Sequence, residues 1–287
     1  MILFKKINDL NKWLDAQRKK GLHVGFVPTM GALHPGHLSL IHTSKAENNV
    51  TVCSIFVNPA QFNDPGDFEK YPVTIEQDIA LLEEAGCNVL FLPSVAEIYP
   101  MGLLHLRHFD LSYLETILEG KYRPGHFQGV CLVVDRLLDI VNPNKIYLGQ
   151  KDYQQCMVIT RMIILTGKEG KIKVRICPTL READGLAMSS RNMRLNEKER
   201  KSAAGIYQCL LQIKKNLSKG NLEKIKEKAV SRLIHSGFRP DYAEIADAEN
   251  LNIVHEWNGK QPLVAVIAAF LNDIRLIDNL QLTGEIS

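Results

Sequence analysis

The sequence has few of the features that would mark an unusual environment. Its six cysteines, Cys53, Cys87, Cys131, Cys156, Cys177 and Cys209, are scattered, with no C-x-x-C pair, and most sit inside apolar runs. That excludes a paired-cysteine motif and predicts reduced core residues. No window reaches the ~18 apolar residues of a membrane span, and the first six residues lack the apolar stretch of a secretory leader. The expectation is a cytoplasmic chain with no membrane partner. Charge of one sign is also scarce. The formal balance is +3, and the basic residues are interspersed with acids. The clusters Arg18-Lys19-Lys20 and 198–201 read as helix ends or solvated faces, so no nucleic-acid partner is expected. There is no internal repeat and no low-complexity segment.

What is present is an alternation of elements. With 287 residues, the chain suits two domains, with enough length to bury sizeable cores. Ile7, Leu10, Trp13 and Leu14 recur at helical spacing, and Lys19-Lys20-Gly21 closes that helix. A strand at 23–27, a helix to about Glu47 and an apolar run over 50–57 follow. The pattern continues with a helix at about 75–85, a strand at 88–92 and a helix marked by Phe127, Val130, Val134, Leu137, Leu138 and Val141. A strand at 145–148, a helix at about 153–166 and a strand at 173–177 complete it. Continuous apolar strands alternating with helices predict a parallel sheet covered on both faces. The expectation is an α/β fold, with a Rossmann-like parallel-sheet domain over 1–177. From Pro178 the pattern changes to a flexible polar loop at 179–194, long amphipathic helices at about 197–217 and 222–236, and strands at 242–246, 263–270 and 275–278. Helices followed by strands predict a smaller α+β domain over 178–287.

The chemistry gathers where strands end. Pro28-Thr29-Met30-Gly31-Ala32-Leu33-His34-Pro35-Gly36-His37-Leu38 reads as a strand, a tight turn and a helix start, with Pro35 at the first helical position and His34 at about the N-cap. Helix-end N–H groups and two imidazoles there favour a phosphate-bearing ligand. A P-loop needs Lys and Ser/Thr where this chain has His37 and Leu38. A zinc site would need a further ligand at a recognisable spacing, which is missing, so no metal site is assigned. The polar loop 58–72 opens with Asn58-Pro59-Ala60-Gln61-Phe62 at another strand's carboxyl end, where open α/β sheets bind ligands. Its amides donate and accept at once. Gly149-Gln150-Lys151-Asp152-Tyr153-Gln154-Gln155 places a lysine at the sheet edge, able to neutralise phosphoryl charge. Arg181 to Asn192 carries Met188-Ser189-Ser190-Arg191, two hydroxyls beside an arginine. Each stretch has an ordinary structural explanation on its own: a turn, a solvated lysine, a linker with a helix cap.

Together they are more specific. The 30–37 turn and the later Met-Ser-Ser-Arg resemble the nucleotidyltransferase superfamily, in which class I aminoacyl-tRNA synthetases carry His-Ile-Gly-His and Lys-Met-Ser-Lys-Ser. With Asn58 to Phe62, Arg123-Pro124-Gly125-His126-Phe127 and Lys151 to Gln155 added, the sequence resembles the pantoate–β-alanine ligase family from about Ile7 to Leu280. The resemblance implies a homodimeric, Mg2+-dependent enzyme that adenylates pantoate with ATP and then passes the pantoyl group to β-alanine. It implies that Met30 to His37, Gly149 to Asp152, Leu180 and Met188 to Arg191 bind ATP. Within that set His37 is the proton donor, His34 and Lys151 contact phosphates, and Met188, Ser189, Ser190 and Arg191 close over them. Gln61 and Gln155, with Asn58 beside them, would hold pantoate, and Gln61 would also lie near β-alanine. Pro35 and Gln150 stand where many relatives have Glu, and Cys131 and Asp135-Arg136 where many have Thr and Lys. Two other readings compete: a nucleotidyltransferase that keeps the nucleotide in its product, and a catalytically silent nucleotide- or RNA-binding module. The first should lack the 58–62 loop and the second domain; the second should show a basic, aromatic-studded surface.

Overall fold

A computed structural model describes residues 1–62, 65–102 and 107–284. The chain divides into two compact units, one of Met1–Gly149 with Gln154–Pro178 and one of Gln150–Tyr153 with Thr179–Ser287.

The first unit is the expected α/β layer. Its strands are β1 (Ile2–Phe4), β2 (Val24–Thr29), β3 (Val50–Ile55), β4 (Val89–Phe91), β5 (Lys145–Gly149) and β6 (Lys173–Cys177). They form one sheet in the order β1-β4-β3-β2-β5-β6, and every pairing in it is parallel. Helices α1 (Ile7–Arg18), α2 (Pro35–Glu47), α3 (Pro65–Glu69), α4 (Ile75–Glu84), α5 (Val95–Ile98), α6 (Leu118–Tyr122), α7 (His126–Val141) and α8 (Tyr153–Leu165) connect them. All six residues of β3 are buried, as a central strand covered on both faces requires. Val27, Leu40, Ile41, Leu82 and Leu90 pack together as one core.

From β2 the chain steps one way to β3 and β4, and later the other way through β5 to β6. The order of strands therefore reverses between β2 and β5. In an open parallel sheet the carboxyl ends at such a switch point border the ligand crevice, and the 30–37 turn leaves from one of them.

Two differences from the sequence reading concern short elements. β1 pairs with β4 from Ile2↔Val89 to Phe4↔Phe91, and three residues are too few to show a periodicity. The polar loop 58–72 contains the 3-10 turn Pro59–Gln61 and α3. Residues 63 and 64 of that loop lie outside the described residues.

The second unit packs helices on an antiparallel sheet. Helices α9 (Glu197–Ala203), α10 (Gly205–Lys215) and α11 (Glu223–His235) accompany β7 (Gly220–Asn221), β8 (Phe238–Asp247), β9 (Glu256–Trp257), β10 (Leu263–Leu271) and β11 (Ile274–Gln281). The main sheet runs β11-β10-β8, and β7 and β9 form a separate two-residue ladder. Ile206, Leu210, Ile213, Leu233, Ile245, Ile267 and Leu276 make the core.

The single helix expected over 197–217 is two, broken at Ala204. Glycine is a poor interior helix residue. A Cβ on Gly205 would lie only 3.2 Å from the ring of Phe238, so the break lets that ring approach the backbone.

All six cysteines are free and buried. Burial raises the thiols of Cys53, Cys87, Cys131, Cys177 and Cys209, Cys87 and Cys209 to about 11, which leaves them inert.

Candidate active site

β2 ends at Thr29, whose hydroxyl donates to the Ser54 carbonyl at 2.7 Å and accepts the Gly31 N–H at 3.3 Å. Gly31 (φ 80) and Ala32 (φ 48) then turn through the left-handed region. A buried carboxylate from α4 holds them. Asp78 accepts the Ala32 N–H on Oδ2 at 3.0 Å, and the Leu33 N–H and Thr74 hydroxyl on Oδ1 at 2.8 and 3.1 Å.

His34 caps α2, with Pro35 in its first turn as expected. Its Nδ1 accepts the Gly36 N–H at 3.2 Å, while its own N–H donates to His37 Nδ1 at 3.3 Å. The two rings lie 4.0 Å apart. With Nδ1 an acceptor in both, each neutral imidazole carries its proton on Nε2 and presents that N–H as a donor. This changes one detail of the sequence reading. The first-turn amides of Gly36, His37 and Leu38 all bond to His34, so the imidazoles and the helix dipole, rather than open N–H groups, are what this helix start offers an anion.

The amide loop divides its two residues between different tasks. The sequence reading puts Asn58 beside the substrate, but it is fully buried. Its Oδ1 accepts from Ala60 N–H and the Tyr99 hydroxyl at 3.3 and 3.0 Å, and its Nδ2 donates to Gln61 Oε1 and the Gly129 carbonyl at 3.2 and 3.0 Å. Those four bonds use the whole capacity of a primary amide. Asn58 therefore builds the loop, and Gln61, whose Nε2 lies 2.8 Å from Met30 Sδ, is the amide beside the 30–37 turn.

His126 fixes Gln61 from behind, its Nδ1 2.8 Å from the Gln61 carbonyl and its Nε2 3.0 Å from Arg123 Nη1. Guanidinium only donates, so Nε2 accepts and Nδ1–H donates to the carbonyl. The approach is close: a Cβ on Gly129 would stand 2.2 Å from the Ala60 carbonyl oxygen. Burial pushes the Tyr99 phenol up to about 12, so it remains a donor to Asn58.

Of the adjacent glutamines at the start of α8, Gln154 is structural. It accepts the Glu119 N–H and donates to the carbonyls of Leu114 and Ile117. Gln155 is half-buried and remains the ligand candidate.

In the second unit, Gly149 having closed β5, a 3-10 turn at Gln150–Asp152 carries Lys151. The Lys151 Nζ lies 3.2 Å from Asp152 Oδ1, and its side chain is mostly covered. The stretch expected as a flexible polar loop is a paired structure instead. Arg181 bridges Ala187, Glu182 N–H donates to the Leu186 carbonyl, and Met188 N–H to that of Leu180. Leu180 itself is exposed. Ser189 caps the 3-10 turn Ser190–Arg194 by accepting the Arg191 N–H at 3.3 Å, and Ser190 is buried. Asp184 accepts the Leu186 N–H and pairs with Arg200. The guanidinium holds that carboxyl below its ordinary value.

Asp78, Tyr99 and His126 have no assigned role in the sequence reading. Only the 123–127 motif gives a signal, for His126. Asp78 has none, because the turn amides it holds, Ala32 and Leu33, lie 46 and 45 residues away.

The model of a family described as Pantoate-beta-alanine ligase matches residues 2–281. The chain is 44% identical to the pantothenate synthetase of Cytophaga hutchinsonii, over 98% of this chain and 99% of that one. It is also 44% identical to the pantothenate synthetase of Phocaeicola vulgatus, over 99% and 100%. Among solved structures, a crystal structure of pantothenate synthetase from Thermus thermophilus superposes with a TM-score of 0.89 at 38% identity, covering 99% of this chain and 100% of that one. A pantoate-beta-alanine ligase from Francisella tularensis, complexed with beta-gamma ATP and beta-alanine, gives 0.82 at 39% identity, with 99% of each chain covered.

Proposed function

Because the chain belongs to the pantoate–beta-alanine ligase family, we propose that the groups described above divide that family's reaction between them. The enzyme condenses pantoate with β-alanine at the expense of ATP, giving pantothenate, AMP and pyrophosphate through a pantoyl-adenylate. A pantoate carboxylate oxygen attacks the α-phosphorus, and the bond to the bridging oxygen of pyrophosphate breaks. The β-alanine amine then attacks the acyl carbonyl, loses a proton and expels AMP.

The pantoate carboxylate is its own nucleophile, so the first step asks the protein to position the reactants and to neutralise charge growing on the leaving group. The Nε2–H donors of His34 and His37 suit the phosphate oxygens, hydrogen-bonding the leaving group as its negative charge grows. Lys151 and Arg191 supply fixed positive charge, with Ser189 and Ser190 as hydroxyl donors. The backbone of Met30 to Gly36, Gly149 to Asp152, Leu180 and Met188 lines ATP. Gln61 and Gln155 take the pantoate hydroxyls and carboxylate, and Asn58 keeps Gln61 in place.

The observation that carries this reading is the paired imidazoles with fixed tautomers at the carboxyl end of β2, in a chain that matches the family from end to end.

Magnesium is part of the proposal as a companion of ATP. Among the described residues no group of three or more His, Cys, Asp or Glu side chains is placed to hold a metal ion, and Mg2+ characteristically binds through substrate phosphates with few protein ligands. The cation would screen the triphosphate when bound. No helix among the described residues is long and apolar enough to cross a membrane. Buried free thiols support a reducing, cytoplasmic setting. A homodimer completes the proposal.

The test is product identity. Purified protein given ATP, pantoate and β-alanine should release AMP and pyrophosphate in equal amounts with pantothenate. ADP release, or AMP release without pantoate, would overturn it.

A further inference from the structure

Two neighbouring residues in the middle of β11 are polar and yet buried. Asp278 and Asn279 pair with Ile267 and Val266 of β10 and are 4% and 2% exposed. A buried carboxylate and amide cost stability unless fully partnered. Within the strand Asp278 Oδ1 accepts the Asn279 N–H at 2.8 Å, and the other partners lie outside the sheet.

Both Asp278 oxygens take the guanidinium of Arg181, at 2.6 and 3.0 Å. That guanidinium also donates to the carbonyls of Gly185 and Asn279 at 3.0 Å and lies 4.0 Å over the Tyr207 ring. Arg181 thereby closes the hairpin that delivers Met188 to Arg191. Asn279 turns to a different segment: its Nδ2 donates to the carbonyls of Gln150 and Lys151, both at 2.9 Å. Two consecutive residues thus hold two stretches about 30 residues apart in sequence. Each stretch carries one cation of the proposed chemistry.

We propose that Asp278 and Asn279 are positioning residues that join the Lys151 turn and the Arg181–Ala187 hairpin into one preformed cationic element. The proposal rests on the roles given above to Lys151 and Arg191. Preorganisation of this kind matters most at the transition state, because charges already in place need no rearrangement as negative charge develops. Burial pushes the Asp278 carboxyl up while Arg181 opposes that shift, and the bidentate pair is the geometry that keeps a carboxylate ionised indoors.

The experiment is pyrophosphate exchange into ATP in the presence of pantoate, with the full chain. Asn279→Asp preserves size but removes both N–H donors. It should lower exchange turnover at least roughly tenfold and change the ATP KM by no more than about threefold. Lys151→Ala should fall further, and adding Asn279→Asp to it should cost no more than about another threefold, since the asparagine acts through the lysine. Arg181→Lys should show the same non-additivity with Arg191→Ala. Asn279→Ala serves in the same cycle if circular dichroism shows that Asn279→Asp does not fold.

Full multiplication of the Asn279 and Lys151 effects would overturn the proposal while leaving the lysine's role intact. Turnover by folded Asn279→Asp within about twofold of the parent would do the same. Near-full turnover by Lys151→Ala would instead overturn the lysine's role, and the proposal with it.

Discussion

At the scale of single residues, the site depends on which atom of a side chain is already occupied. His37 gives its Nδ1 to the His34 N–H, so in the proposed role its outer nitrogen is the one that acts on a phosphate. An asparagine can place its Oδ1 where that Nδ1 stands but cannot reach as far as Nε2. His37→Asn should therefore keep the parent melting temperature and lose roughly 10²-fold or more in kcat. His37→Ala should lose the cap as well, at a cost of about 1 kcal/mol in chemical denaturation. Equal stability losses in the two variants would count against the cap, and undiminished kcat against the donor. Asp78 makes a similar case without touching ligand. Asp78→Asn would aim an NH2 group at one of two backbone N–H donors, costing about 1–3 kcal/mol of stability and raising the ATP KM through a loosened turn. Denaturant midpoints and KM values measure both effects. Sequence makes the histidines visible because Pro35-Gly36 marks a helix start whatever the fold. It cannot reveal Asp78, whose role exists only once α4 lies against the turn. Asn58 misleads for a related reason: an amide has the same chemistry toward a ligand as toward a loop, and only its complete burial separates the two.

At the scale of elements, legibility follows length and apolar continuity. The strand at Lys173–Cys177 is legible to the residue, and the apolar markers from Phe127 to Val141 all fall within α7, because their neighbours change character sharply. The short pieces, β1 and the β7-β9 ladder, have no pattern to read, since their pairing partners supply the reason they form. The hairpin near Arg181 is hidden by its polar composition. It is pinned by Arg181 on one side and by the Asp184–Arg200 pair on the other. The second pin is sensitive to acid. Arg200 holds the Asp184 carboxyl below its ordinary 3.8, so the pair adds stability above that pH and loses it as pH falls through the lower folded value. Both side chains are substantially exposed, and solvent screens the pair to a small contribution. The parent should melt above Asp184→Asn by about 2 °C or less at neutral pH, and the gap should close as pH drops below 3.8. A gap that widened in acid would reverse the sign of this argument.

At the scale of the whole molecule, the proposed roles are shared between the two units: the imidazole pair and the pantoate amides in the first, Lys151 and Arg191 in the second. If the Met188 to Arg191 segment acts on bound ATP, amide hydrogen exchange across 179–192 should slow when ATP and pantoate are both present, and unchanged exchange would remove that segment from the reaction. The order of chemistry follows from where the amides lie. Gln61 sits beside Met30 of the turn proposed to face the phosphates and is fixed through its carbonyl by His126 and through its side chain by Asn58. A pantoate held there needs no amine in order to meet the α-phosphate, so adenylation should be complete with ATP, Mg2+ and pantoate alone. The acyl-adenylate must then survive until β-alanine arrives, which requires a site that excludes water. Labelled pyrophosphate should accordingly exchange into ATP with pantoate present and β-alanine absent. Gln61→Ala should slow both that exchange and the transfer of a preformed adenylate to the amine, because the same amide orients the acyl group in each step. Loss confined to the second step would place Gln61 on β-alanine instead of pantoate, and exchange that required β-alanine would replace the two-step route with a concerted one.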